Sequence, residues 1–419
     1  MQKNARDALY ICTRLDASAL GEDAAVAGKI SFMHYYFLPN SKFDEKRFSQ
    51  SAEDEHTAAV KADFDNAQGF LYSGGLHFKT VRRFVAELPL KLEGVPIRSA
   101  HAVLSYYPEA NICQGSVCLN VDLTQPRNFV YLHQVQCAES GDGKSGPFTL
   151  NGESVSVNYV CRSLLREFVS GEMKNGPTSI ILEVNRFGDK KDTDSFTDFE
   201  YRCMYGILTG DEGWRHVPTP LATQRVDSSW TSRDFVKIIV FNNNYLLLNL
   251  NHADVHSSYL AGQYAYQCRY YHGLNKYFTM DARTAGVNHG LYFSVETGML
   301  VKTMTDRILN DRPDITKPHG LFLQDEIKKN KRYRGAMIRM LSKVDTISIS
   351  ELGELDDLVV RELGVSERIE SVRNLLELLE SDLDLMYSTN TNHMVTLLTV
   401  IGLVFALIQV VIGLITLFG

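Results

Sequence analysis

Proline stops at Pro318, and the 101 residues after it contain none. Nothing in that part of the chain forbids a long unbroken helix. Cysteine is sparse: Cys12, Cys113, Cys118, Cys137, Cys161, Cys203 and Cys268 are scattered, odd in number and without a CxxC pair. That pattern argues against a disulfide frame or a cysteine zinc site. No Walker A loop, GxSxG elbow or HExxH helix occurs, so the chain is not expected to be an enzyme. Positive charge is not in excess either. Lys and Arg total 43 against 50 Asp and Glu, a net charge of −7, which argues against electrostatic binding of duplex nucleic acid. The first residues, MQKNARDALYICTRL, hold no long apolar run. They predict no signal peptide and a large N-terminal part in the cytoplasm.

What the sequence does have is an uncharged stretch of 26 residues, 394–419, reading MVTLLTVIGLVFALIQVVIGLITLFG. As a helix it would be about 39 Å long, against roughly 30 Å of bilayer hydrocarbon. The expectation is a single-pass transmembrane helix in the inner (cell) membrane.

Residues 1–320 read as a mixed, strand-rich domain, α+β or α/β. Short apolar or alternating runs include ALYICTRL, KISFMHYYFL, GSVCLNVDL, NFVYLHQV, TSIILEVNRF and DFVKIIVFNNNYLLLNLN. Helices are expected at 51–65 and 160–170, and an exposed loop at 188–200. A helical connector, 321–365, follows. Gly364 then breaks the pattern, and Ser366 opens a stalk helix, 366–393, that continues into 394–419.

The stalk carries a heptad pattern. Ile369, Val372, Leu376, Leu379, Leu383 and Met386 take the a and d positions. The opposite stripe runs Glu370, Glu377, Ser381, Asp384, Ser388, Thr391, then Val395, Leu398, Gly402, Gln409 and Thr416. Glu370, Glu377 and Asp384 would concentrate cations. A glutamine in an apolar helix is costly unless it faces protein or water. The stripe therefore suggests either a small-residue helix contact or the lining of a pore.

At residues 369–419 the chain resembles the CorA magnesium-channel family. The resemblance rests on Thr391-Asn392, Leu398-Thr399-Val400-Ile401, Phe405 and Gly413-Leu414, preceded by NLLELLESDLDLMYS. It implies an oligomer, here a tetramer or pentamer, with pore-facing residues at Asn392, Val395, Leu398, Gly402, Ala406, Gln409, Gly413 and Thr416. The sequence departs from that family at its ion-selecting Gly-Met-Asn, which falls on Thr416-Leu417-Phe418, and at its bulky gate, which falls on Ala406. The functional expectation is therefore a membrane ion channel passing cations without magnesium selectivity, gated from its cytosolic domain as an effector in phage defence. A divalent-cation transporter and a tail-anchored binding protein are the alternatives.

Two basic stretches are candidates for a gating ligand, a nucleotide or short single-stranded oligonucleotide. One is Lys328, Lys329, Lys331, Arg332 and Arg334 on an expected helix. The other is the aromatic run 264–278, with Arg269, Tyr270, Tyr271 and Lys276. The bland readings are a helical face paired with acidic stalk residues and ordinary aromatic packing. A smaller basic cluster is Lys79, Arg82 and Arg83. Asn251-His252-Ala253-Asp254-Val255-His256 alternates metal-capable side chains without a further ligand set, so no metal and no cofactor are expected.

Overall fold

The computed structural model describes residues 25–39, 41–50, 82–108, 110–138, 145–190, 192–233, 236–250, 285–310, eight positions between 327 and 338, and 353–418. The runs ALYICTRL and Asn251–His256, the candidate helix 51–65, and Lys79, Arg269, Tyr270, Tyr271, Lys276 and Lys329 lie outside the described residues. The chain divides into two compact units, Met1–Leu300 with Ser348–Leu363, and Val301–Ile347 with Gly364–Gly419.

The strands are β1 (Val26–Phe37), β2 (Lys42–Phe43), β3 (Arg82–Glu87), β4 (Leu90–Leu92), β5 (Ile97–Tyr107), β6 (Ile112–Thr124), β7 (Phe148–Leu150), β8 (Glu153–Val155), β9 (Val169–Ser170), β10 (Lys174–Phe187), β11 (Ser229–Arg233), β12 (Val236–Phe241) and β13 (Asn244–Asn249). The helices are α1 (Glu45–Gln50), α2 (Pro126–Ala138), α3 (Val157–Arg166), α4 (Asp198–Thr209), α5 (Thr219–Asp227), α6 (Ala285–Asn310), α7 (Gly353–Glu362) and α8 (Val365–Phe418). The mixture is α+β, as the sequence suggests.

Eight strands form the main sheet of the first unit, in the order β11-β12-β13-β10-β1-β6-β5-β3. Every neighbouring pair is antiparallel except β10 with β13. Strand alternation divides the side chains between two faces. One face is apolar: Ile30, Phe32, Val117, Leu119, Ala102, Leu104, Ile180, Leu182, Leu246 and Leu248 form one core with Phe129 and Leu132 of α2, Val160 and Leu165 of α3, and Met204 and Ile207 of α4. The other face buries polar side chains, among them Arg83, Ser105, Gln114 and Glu183.

Local chemistry accounts for the element boundaries. Strands β12 and β13 form a tight hairpin, whose turn residues Asn242 and Asn243 have φ of +50° and +65°. Asparagine tolerates that left-handed region better than other residues with a Cβ. Helix α3 starts where the Ser156 hydroxyl accepts the Tyr159 amide, and α4 has a full capping box between Thr197 and Glu200. One strand-like run was misread. NFVYLHQV lies inside α2, which begins at Pro126. Proline is well suited to the first helical position.

In the second unit the heptad face is a packing face. Val372, Leu375, Leu379, Leu383 and Met386 are buried with Ile327, against Met304, Ile308 and Leu309 of α6. Arg368 holds Asp306 at 2.9 Å. Gly364, at φ +60°, precedes α8, which runs 54 residues.

The membrane expectation is corrected. Among the described residues, no helix is long and apolar enough to cross a membrane. This overturns the transmembrane helix, the single-pass inner-membrane location, the ion channel with its permeating cations, and the transporter and tail-anchor alternatives that need the same span.

Candidate functional site

The second face of the main sheet buries polar side chains where a sheet ordinarily buries apolar ones. Strand register arranges them in cross-strand rows. Tyr35 pairs with Gln114, Gln114 with Ser105, and Ser105 with Arg83. A second row joins Met33, Ser116, Val103 and Val85, and a third joins Ser31, Cys118, His101 and Glu87. Lys29 and Asn120 lie beyond, with Glu183 opposite Lys29 on β10. Arg83, Ser105, Gln114, Ser116, Ser31, His101, Asn120 and Glu183 are all buried.

Helix α6 places two residues, one helical turn apart, on the first two rows. The Glu296 carboxylate receives a two-pronged ion pair from Arg83, with Nη1 to Oε1 at 2.8 Å and Nη2 to Oε2 at 2.9 Å. Ser105 sits between them. Its hydroxyl accepts from Arg83 Nη1 at 2.6 Å and donates to Glu296 Oε1 at 3.0 Å. Tyr35 Oη donates to the Glu296 backbone carbonyl at 2.9 Å. One turn earlier, Tyr292 Oη lies 2.9 Å from Ser116 Oγ, and Gln114 Nε2 donates to Ser116. Farther along the face, Lys29 faces Glu183 at 3.7 Å and Asn120 donates to Ser99 at 2.7 Å.

The electrostatics follow from burial. Burial works against the Arg83 cation, but the Glu296 charge and its hydrogen bonds more than offset it, and the Arg83 pKa is raised. Burial and then the Glu296 charge push the Tyr35, Tyr107 and Tyr292 hydroxyls up, so they stay protonated. Burial also raises the Cys118 thiol, opposed by Lys29. Two buried atoms of this face, Gln114 Oε1 and Tyr245 Oη, find no hydrogen-bond partner among the described residues. Among those residues no group of three His, Cys, Asp or Glu side chains is placed to hold a metal ion.

The residues singled out by sequence lie elsewhere. Asn392, Val395, Leu398, Gly402, Ala406 and Gln409 are exposed on α8, while the side chains of Gly413 and Thr416 fall outside the described ones. Glu370, Glu377 and Asp384 are exposed along one stretch of the same helix. Arg334 pairs with Glu380 at 2.6 Å, Lys331 lies 5.0 Å over the Tyr387 ring, and the neighbouring Asn330 donates to Asp382. Lys328 and Arg332 are exposed. The basic stretch thus meets acidic and aromatic residues of α8. Sequence reasoning named Arg83 only as part of a basic cluster and missed Glu296, Ser105 and Gln114. Their proximity depends on a contact spanning 213 residues.

The apolar surface of α8 is the other notable feature. After Met386 no described side chain of the helix is buried. Leu398, Leu403, Phe405 and Leu407 are all more than 60% exposed. No family model, curated protein or solved structure matches the chain.

Proposed function

We propose that the chain is a self-associating protein whose α8 helices bundle with those of identical copies, gathering several sheet units into one homo-oligomer. The observation that carries this reading is the exposure of large apolar side chains on every side of α8 at residues 394–407: Met394, Val395, Leu397, Leu398, Val400, Ile401, Leu403, Val404, Phe405 and Leu407. A helix apolar all round is stable when it is covered all round. Exposed apolar patches of this extent mark interaction surfaces.

A two-helix coiled coil would cover one seam only. A bundle of several helices covers each helix from more than one side, which favours the tetramer or pentamer implied by the CorA resemblance. Burying one Leu or Phe contributes about 1.5–3 kcal/mol, so ten such side chains per copy are ample to offset the entropy of assembly. The heptad face below, from Val372 to Met386, is already occupied within the chain. Assembly therefore falls to the segment beyond it.

Light scattering on the size-separated full chain tests the reading. The expected mass is that of a tetramer or pentamer, and Val400→Glu is expected to reduce it.

A further inference from the structure

We propose that the row Arg83–Ser105–Gln114–Tyr35 is an oxyanion-binding site and that Glu296 occupies it as an internal placeholder, seated where the carboxylate or phosphate of an external ligand binds. This inference is independent of α8 and its assembly. Arg83 presents a planar fork to both oxygens of one anion, at 2.8 and 2.9 Å, and Ser105 adds a third donor to the same carboxylate at 3.0 Å. That is the donor set by which arginine recognises carboxylates and phosphates. The guanidinium side chain is 0% exposed, so the site is desolvated, where such contacts are strongest.

Glu296 fills this set incompletely. The next residue in the row, Gln114, is fully buried. Its Nε2 is engaged with Ser116, but its Oε1 has no partner among the described residues. A carboxylate offers only acceptors and cannot answer an acceptor. A ligand with an O–H or N–H beside its anionic group would satisfy both Arg83 and Gln114. Singly protonated phosphate, a phosphate monoester and a hydroxy acid all have that chemistry. A buried ion pair is also a poor device for stability alone, because an apolar pair of similar volume usually does as well or better. Tyr35 donates to the Glu296 backbone carbonyl. Displacing the side chain leaves that bond but breaks the ties from Arg83 and Ser105 to α6, and so loosens the turn that carries Tyr292 and Glu296.

The test is Glu296→Gln in the full chain, which keeps the volume and removes the competing charge. Thermal unfolding is followed by tryptophan fluorescence in inorganic phosphate, in acetate and in chloride at matched ionic strength. The expected result is a rise in the variant's midpoint in millimolar phosphate, a smaller rise in acetate and none in chloride. Phosphate is expected to bind the variant at least about tenfold more tightly than the wild type, a difference of about 1.4 kcal/mol. Adding Arg83→Gln abolishes the response. A folded Glu296→Gln variant whose midpoint ignores both anions overturns the proposal. If that variant does not fold, amide exchange of α6 in the wild-type chain decides. Faster exchange around Tyr292 and Glu296 in phosphate supports the site, and unchanged exchange overturns it.

Discussion

Arg83 and Glu296 stand 213 residues apart in sequence and close a two-pronged ion pair, at 2.8 and 2.9 Å, on a sheet face that is buried yet polar. The pair fixes α6 on β3 and β5 in one register, because Ser105 touches both partners. Apolar contacts alone would allow a helix to slide along the sheet, and a three-way polar junction does not.

Breaking the pair from one side leaves a buried charge. Glu296→Ala is expected to destabilise the sheet unit by about 3–5 kcal/mol, whereas Arg83→Met combined with Glu296→Leu recovers most of that loss. Denaturant unfolding read from Trp214 and Trp230, the chain's two tryptophans, reports this unit. Equal destabilisation of the single and double variants would contradict the account.

His133 sets a pH dependence. It is buried against α4, with Nδ1 3.1 Å from the Ile207 carbonyl and Nε2 3.2 Å from Asn244 Nδ2. These contacts suit a neutral ring that donates from Nδ1 and accepts at Nε2. Burial lowers its pKa, opposed by the Ile207 hydrogen bond. The unfolded chain therefore binds this proton more tightly than the folded one. The contribution is full above the unfolded value of about 6.5 and is lost as pH falls below it through the folded value. Stability measured between neutral and mildly acidic pH is expected to fall, and His133→Gln to flatten that slope.

The β12–β13 turn needs two left-handed residues in succession. Asn243, at φ +65°, is expected to tolerate glycine with no loss and to lose about 1 kcal/mol as alanine. The denaturation midpoint of the sheet unit separates the two outcomes.

The two sides of α8 below residue 387 are expected to respond unequally. Leu379 is 0% exposed and Leu378 is 57% exposed. Leu379→Ala should cost about 2–5 kcal/mol and Leu378→Ala less than about 0.5 kcal/mol. Helical circular dichroism during thermal unfolding measures both.

Much of the frame is readable from local pattern. The alternation in KISFMHYYFL and TSIILEVNRF marks β1 and β10, and the heptads from Ile369 to Met386 mark a buried helical face. The misread run NFVYLHQV shows the limit of short apolar windows, where only the preceding proline signals a helix. The polar sheet face was not legible. Arg83 has a charged neighbour at 82 and reads as surface, because nothing near it in sequence announces a carboxylate on a helix two hundred residues later. The apolar length of α8 was legible, but apolar length alone does not specify what covers it.

Self-association through α8 is tested most directly by sedimentation velocity on the full chain over a hundredfold range of concentration, with Val400→Glu and Leu407→Glu beside the wild type. The account predicts a tetramer or pentamer that each glutamate converts to smaller species, with tryptophan-monitored stability of the sheet unit unchanged. A wild-type chain that sediments as a monomer throughout, or an oligomer indifferent to both substitutions, would contradict it.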